Sequence, residues 1–224
     1  MLDRNRALYY AYPCVNSPSE IAGFNPRAAD PAPHGAAGAI LAGLFPPLTL
    51  QEDIMEAMES ILSRRSIRKY TGDAVPEDVV EQVLKAAMSA PSAGNQQPWH
   101  FVVMRERAIL DRIPGVHPHS LMIREAPVAV LVCADPTLET HKGYWVQDCA
   151  AATENMLIAV QALGYGAVWL GVYPREERVT GIRALLGIPE HVIPFALVPI
   201  GRPAEQKPAS QRYTREKVHV GRWQ

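Results

Sequence analysis

Pro91-Ser92-Ala93-Gly94-Asn95-Gln96-Gln97-Pro98-Trp99 stands between two segments of different period, and its surroundings set the fold class. Before it, Val79, Val80, Val83, Leu84, Ala87 and Met88 recur at helical spacing behind Pro76, Glu77 and Asp78, which suit a helix's first turn. Pro91 stops that helix. After it, 99–104 is aromatic and β-branched and reads as a strand, while 127–133 is almost wholly apolar and reads as a second, central one. Further out, the pattern predicts a short helix over 106–113, a loop over 114–120 and a long helix over 144–163 ended by Gly164. A strand over 167–170 ending at Gly171, a helix over 174–186 ending at Gly187 and a strand over 193–200 ending at Gly201 follow. The long helix is apolar and carries Ala150, Ala151, Ala152 and Ala159, so it is expected to be buried on more than one side. Strands separated by helices give an α/β or α+β sandwich, with one mixed sheet flanked by helices.

On the N-terminal side, Ile54, Met58, Ile61 and Leu62 mark an amphipathic helix over 52–63 that runs into Arg64-Arg65-Ser66-Ile67-Arg68-Lys69-Tyr70. Residues 1–50 are rich in Pro, Ala and Gly and keep no sustained period, so they are expected to form a poorly ordered extension to a folded domain over 51–224. A start annotated too far upstream would look the same, with Met55 as the alternative start. The apolar stretch 36–48 lacks a basic region before it and a cleavage site, and is not read as a signal peptide.

Lys plus Arg (22) nearly balances Asp plus Glu (23), so no global field draws the chain to nucleic acid or to an anionic membrane, and any basic site is local. No apolar run approaches the roughly 20 residues of a spanning helix. Cys14, Cys133 and Cys149 have no C-x-x-C spacing, which argues against a disulfide framework or a zinc knuckle and fits a reducing cytoplasm. His117 and His119 lack a third ligand nearby and read as loop residues, so no metal is expected. Ser66 and Ser92 have no G-x-S-x-G frame, and Gly164, Gly166 and Gly171 do not form G-x-G-x-x-G. Cys133 and Cys149 fall on apolar elements and read as packing residues, whereas Tyr144 and Trp145 would either shape a pocket or fill core.

Two features carry chemistry. Arg64, Arg65, Arg68 and Lys69 with Ser66 place four cations and a hydroxyl within six residues. Paired guanidiniums with a hydroxyl suit a phosphate monoester; the alternative is a solvated charged face at a helix end. In the 91–99 loop, Ser92, Ala93 and Gly94 let backbone come near a flat ligand, while Asn95, Gln96 and Gln97 can donate and accept toward a heterocycle. The alternative is an ordinary turn with Trp99 as core.

Together with Gln147-Asp148-Cys149-Ala150-Ala151-Ala152, Trp169-Leu170-Gly171, and the closing Arg212-Tyr213 and Val218-His219, these segments resemble the nitroreductase family from about residue 52 to the end. The resemblance implies the α+β form, a nitroreductase-like sandwich that binds FMN at the interface of a homodimer. It implies that Arg64, Arg65 and Ser66 hold the ribityl phosphate with Arg212, and that Arg68 lies near N1 and O2 of the ring. Asn95 would read the pyrimidine edge, Pro91, Ser92 and Ala93 would come across from the other chain, and Gln97 belongs to the same cofactor-binding loop. The backbone around Leu170 and Gly171 would offer an N–H to flavin N5. NADH or NADPH would serve as transient electron donor in a ping-pong cycle, and a nitroaromatic, quinone or similar small electrophile would be reduced. Because the flavin itself takes the hydride, no catalytic triad is expected. Relatives that fragment flavin, dehalogenate or merely carry flavin often add a lid over the ring, and the ten residues 117–126 leave little room for one. A nucleic-acid-binding module built on Arg64 to Lys69 is the remote alternative, disfavoured by the near-neutral charge.

Overall fold

The computed structural model describes residues 57–223. The extension over 1–50 and the start of the first helix lie outside the described residues.

The hydrophobic alternation of the apolar strand builds the centre of the fold. Strand β2 (Val128–Ala134) is buried along its whole length. Its Val128, Val130, Val132 and Ala134 face one apolar layer, and Ala129, Leu131 and Cys133 face another. Each fully buried Val or Leu contributes about 1.5–3 kcal/mol relative to exposure. Antiparallel to β2 on one side lies β1 (Trp99–Met104), and on the other β5 (Ile193–Gly201). The far side of β5 is covered by two short strands, β3 (Gly166–Ala167) at its C-terminal end and β4 (Leu170–Gly171) further back, both antiparallel. One strand was expected over 167–170; the structure breaks it at Val168 and Trp169.

The break answers a problem in β5. That strand carries Pro194 and Pro199 although it is central, where a missing N–H would cost a ladder bond. Pro199 falls opposite Val168, between β3 and β4, with its carbonyl 3.3 Å from the Tyr70 hydroxyl. Pro194 pairs Cys133 beside a register shift between Val132 and Cys133. The parallel component of the sheet is the isolated bridge of Ser66 with Ala167.

One face of the sheet is covered by α4 (Trp145–Ala162), onto which α2 (Glu77–Met88) packs. Helix α4 follows the expected 144–163 within a residue at each end, and Gly164 takes a positive φ (+74°) just after it. Trp145 is buried, 4.7 Å from the Tyr173 ring and 6.1 Å from that of Phe195, so it fills core, whereas Tyr144 is exposed. The other face is covered by α5 (Glu176–Leu186), which ends at Gly187 (φ +65°), and by the segment around α3 (Arg107–Leu110). The helix expected over 106–113 shortens to α3 followed by a 3-10 turn at Ile113–Gly115, where Pro114 interrupts the α-helical bonding. A further 3-10 turn, Leu121–Arg124, inserts the fully buried Ile123 beneath it.

Two expectations of burial fail. Helix α1 (Ala57–Ser63) buries Ser60 and leaves Met58, Ile61 and Leu62 exposed, and Met88 at the end of α2 is also exposed. Periodicity identifies which face of a helix is apolar; it does not supply the element that covers it. Among the described residues no helix is long and apolar enough to cross a membrane.

Candidate functional site

The basic segment leaves α1 as extended chain. Ser66 bridges Ala167, Ile67 N–H donates to the Ala167 carbonyl (2.9 Å), and Tyr70 bridges Pro203. A glycine is required opposite it, since a Cβ on Gly166 would sit 2.8 Å from the Ile67 side chain. Successive side chains of an extended chain point to opposite sides, and the two arginines part accordingly. Arg64 reaches α4, with its Nε 3.4 Å from Glu154 Oε1 at ion-pair range. Arg65 lines a cavity of about 750 Å³ together with Gln161, Tyr165, Glu205 and Lys207.

The Nε atoms of both arginines are buried without a hydrogen-bond partner among the described residues. A buried cationic donor left unsatisfied is costly, so Arg65 in particular calls for an anion in the cavity it lines. The carboxylate in the lining, Glu205, does not fill that need, because its Oε1 pairs Lys207 Nζ at 3.0 Å, and that ammonium also donates to the Ser66 carbonyl (2.6 Å). Glu205 also accepts the Arg68 N–H. That backbone donor first, and Lys207 second, hold the Glu205 carboxyl below its ordinary range. The side chain of Arg68 is exposed.

The amide loop is fixed by a residue that sequence reasoning quoted but gave no role. Asp148, buried in the first turn of α4, accepts the Ala93 N–H through Oδ1 (3.0 Å) and Gln96 Nε2 through Oδ2 (2.7 Å). With its Nε2 so engaged, Gln96 turns its Oε1 to accept the N–H groups of Thr140 (3.1 Å) and His141 (3.0 Å). Ser92 Oγ accepts the Gln97 N–H, and Asn95 Oδ1 accepts Gln97 Nε2. Gly94, Asn95 and Gln97 all have positive φ, +56°, +56° and +46°. A Cβ on Gly94 would meet the His141 ring at 2.5 Å. The clue was an acid set directly before the apolar run Cys149-Ala150-Ala151-Ala152 in the helix's first turns. Trp99, at the loop's end, is core.

Within one chain these features are separate. The amide loop is tied to α4 at Asp148, whereas the basic segment meets the same helix at Glu154 and at Gln161, whose Nε2 donates to Ser63 Oγ. Along the helix, Asp148 lies about 9 Å from Glu154 and about 20 Å from Gln161, which lines the Arg65 cavity. The basic segment is instead adjacent to the Gly171 strand, through the Ser66–Ala167 bridge and the short run to Leu170 and Gly171. A Cβ on Gly171 would meet nothing closer than the Tyr173 carbonyl at 3.9 Å, so the chain's own packing leaves that position open. Arg212 lies on the exposed C-terminal tail.

His117 sits on the loop, as expected, but is 1% exposed, with Nε2 3.0 Å from the Gly171 carbonyl, because the loop folds back under α5. Burial first of all depresses its pKa below the ordinary imidazole value. Cys133 and Cys149 are buried, and desolvation pushes both thiols up to about 12, as suits packing residues. Among the described residues no group of three His, Cys, Asp or Glu could hold a metal ion.

The sequence profile of the Nitroreductase family matches residues 61–117 and 116–202. A protein of Methanothermobacter thermautotrophicus named "Putative NADH dehydrogenase/NAD(P)H nitroreductase" is 50% identical over 169 residues, covering 75% of this chain and 88% of that one. Among solved structures, a protein of the same name from Bacteroides thetaiotaomicron is 36% identical with a TM-score of 0.72, covering 75% of this chain and 98% of that one. A Desulfovibrio desulfuricans structure, described as a "putative nitroreductase in complex with fmn", is 31% identical with a TM-score of 0.66, covering 76% and 99%.

Proposed function

Because the chain belongs to the nitroreductase family, we propose that it is an FMN-dependent oxidoreductase that uses NADH or NADPH to reduce a small electrophile such as a nitroaromatic or a quinone. The observation that carries the cofactor assignment is Arg65 lining a cavity of about 750 Å³, with its buried Nε left without a hydrogen-bond partner among the described residues. FMN, when bound, accepts hydride from the nicotinamide and delivers electrons to the second substrate. The protein's task is to bind and orient.

Arg65 supplies the charge-assisted donor to the phosphate from the cavity side, while Arg64 and Ser66, on the other side of the extended segment, and Arg212, on the exposed tail, are assigned to the phosphate on the family resemblance. Arg68, exposed beside the cavity wall, places a cation where reduced flavin carries negative charge. The Leu170–Gly171 backbone supplies the N–H to the ring's N5. Pro91, Ser92, Ala93, Asn95 and Gln97 form the remaining wall, with Pro91 to Ala93 contributed by a second copy of the chain. The separation of about 20 Å along α4 between the amide loop and the Arg65 cavity supports that division, as do the exposed Met58, Ile61 and Leu62 on α1. A cytoplasmic homodimer, with residues 51–224 as the flavin domain and 1–50 as an extension, completes the reading.

An absorption spectrum of the purified protein, followed by anaerobic addition of NADH or NADPH, tests it. A flavin spectrum bleached by either nucleotide is expected; colourless protein that takes up no FMN would defeat the proposal. Arg65→Ala should weaken FMN binding about 10- to 150-fold, the loss of one hydrogen bond to a charged group.

A further inference from the structure

The mechanism above leaves one buried polar cluster unused. The Gly171 carbonyl receives two donors at once, His117 Nε2 at 3.0 Å and Arg178 Nη1 at 2.8 Å. The next N–H, of Val172, donates to the Phe195 carbonyl (3.1 Å). The Gly171–Val172 peptide is therefore held at both ends.

The arrangement is an expensive way to fill core. A carbonyl only accepts, so Nε2 carries the proton and Nδ1 presents a lone pair. That Nδ1 is buried with no partner, as is Arg178 Nε. An apolar side chain would fill the same space without either orphaned atom. His117 is nonetheless firmly seated. Its own carbonyl accepts the N–H and the hydroxyl of the fully buried Ser120, and its N–H donates to the Ile113 carbonyl (2.9 Å). The neighbouring Val116 packs so tightly on α5 that a Cβ at Gly181 would lie 2.9 Å from it. Two elements distant in sequence, the 113–120 segment and α5, thus converge on one carbonyl.

We propose that His117 and Arg178 are positioning residues that, by holding the Gly171 carbonyl, fix the backbone angles at Gly171 and so aim the N–H of the preceding Leu170–Gly171 peptide at flavin N5. The inference rests on the proposed flavin function. It also predicts a directional effect. N5 of oxidised flavin accepts a hydrogen bond, whereas N5 of reduced flavin carries a proton, so an N–H held toward N5 favours the oxidised form. Loosening the peptide weakens oxidised FMN more than reduced FMN and raises the midpoint potential of the bound flavin.

The test measures FMN affinity and midpoint potential in wild type, His117→Phe, His117→Gln and Arg178→Met, with circular dichroism to confirm folding. In His117→Phe the affinity for oxidised FMN should fall about fivefold relative to that for reduced FMN, the effect of one neutral hydrogen bond. His117→Gln, which keeps an N–H donor, should restore most of it, and Arg178→Met should shift the ratio in the same direction. If His117→Phe does not fold, Arg178→Met and His117→Gln carry the test. Equal weakening of both oxidation states, or none, in the folded variants overturns the inference while leaving the flavin function standing. Wild-type protein that binds no FMN overturns both.

Discussion

Asp148→Asn changes one oxygen to nitrogen and should cost far more than its size suggests. The Asp148 carboxylate receives two donors, the Ala93 N–H at 3.0 Å and Gln96 Nε2 at 2.7 Å, and is itself 4% exposed. The Asn amide can serve Ala93 through its oxygen, but its NH₂ then faces the NH₂ of Gln96. Rotating the Gln96 amide only moves the conflict, because its far end would present donors to the N–H groups of Thr140 and His141. Either way at least one donor meets a donor, and charge assistance is lost at two bonds. Hydrogen bonds to charged groups are worth about 1.5–3 kcal/mol each; discounting for the half-buried loop side, a loss of about 2–4 kcal/mol is expected. Chemical denaturation with an unchanged m-value measures it, and amide exchange at Ala93, Thr140 and His141 locates it. The double-mutant cycle with Gln96→Ala should show coupling above about 0.5 kcal/mol. A variant within about 0.5 kcal/mol of wild type, with unaltered protection at those amides, would refute the clamp.

Two further outcomes follow from the shifted ionisations. With their thiols pushed up to about 12, Cys133 and Cys149 should resist alkylation by iodoacetamide at pH 8 in the folded protein and react only on unfolding, with site occupancy read by mass spectrometry. Rapid native labelling of either would contradict the packing assignment. For Glu205 the folded pKa lies below the unfolded value, so its stabilisation is present above about pH 4.5 and fades as pH falls through the lower, folded value. Glu205→Gln should therefore flatten the stability profile on the acid side, and an unchanged acid slope would show that the Arg68 N–H and Lys207 contacts do not contribute.

What the sequence reveals of this fold follows from the range over which each signal acts. The strand 99–104, the ends of α4 and α5, and Gly187 as a helix stop depend on local period and on backbone freedom within a few residues, and the structure places them as expected. The split of the 167–170 strand was not legible, because it answers to Pro199, some thirty residues away in the chain and visible as a neighbour only once β5 is paired. The burial of His117 was not legible, for the same reason. A histidine between prolines has the composition of a surface loop, and only the docking of Val116 on Gly181 turns it inward to the Gly171 carbonyl. Asp148 shows the intermediate case, since an acid directly before an apolar run is conspicuous in the sequence while its partners, Ala93 and Gln96, are 55 and 52 residues away. The candidate site was thus readable as residue types, two arginines, an amide loop and a glycine strand, and unreadable as geometry. Alternation in the extended segment sends Arg64 to Glu154 and Arg65 to the cavity. The consequence is mechanistic: if each arginine faces a different surface, Arg65→Ala and Arg64→Ala cannot be equivalent, and the first should govern phosphate affinity.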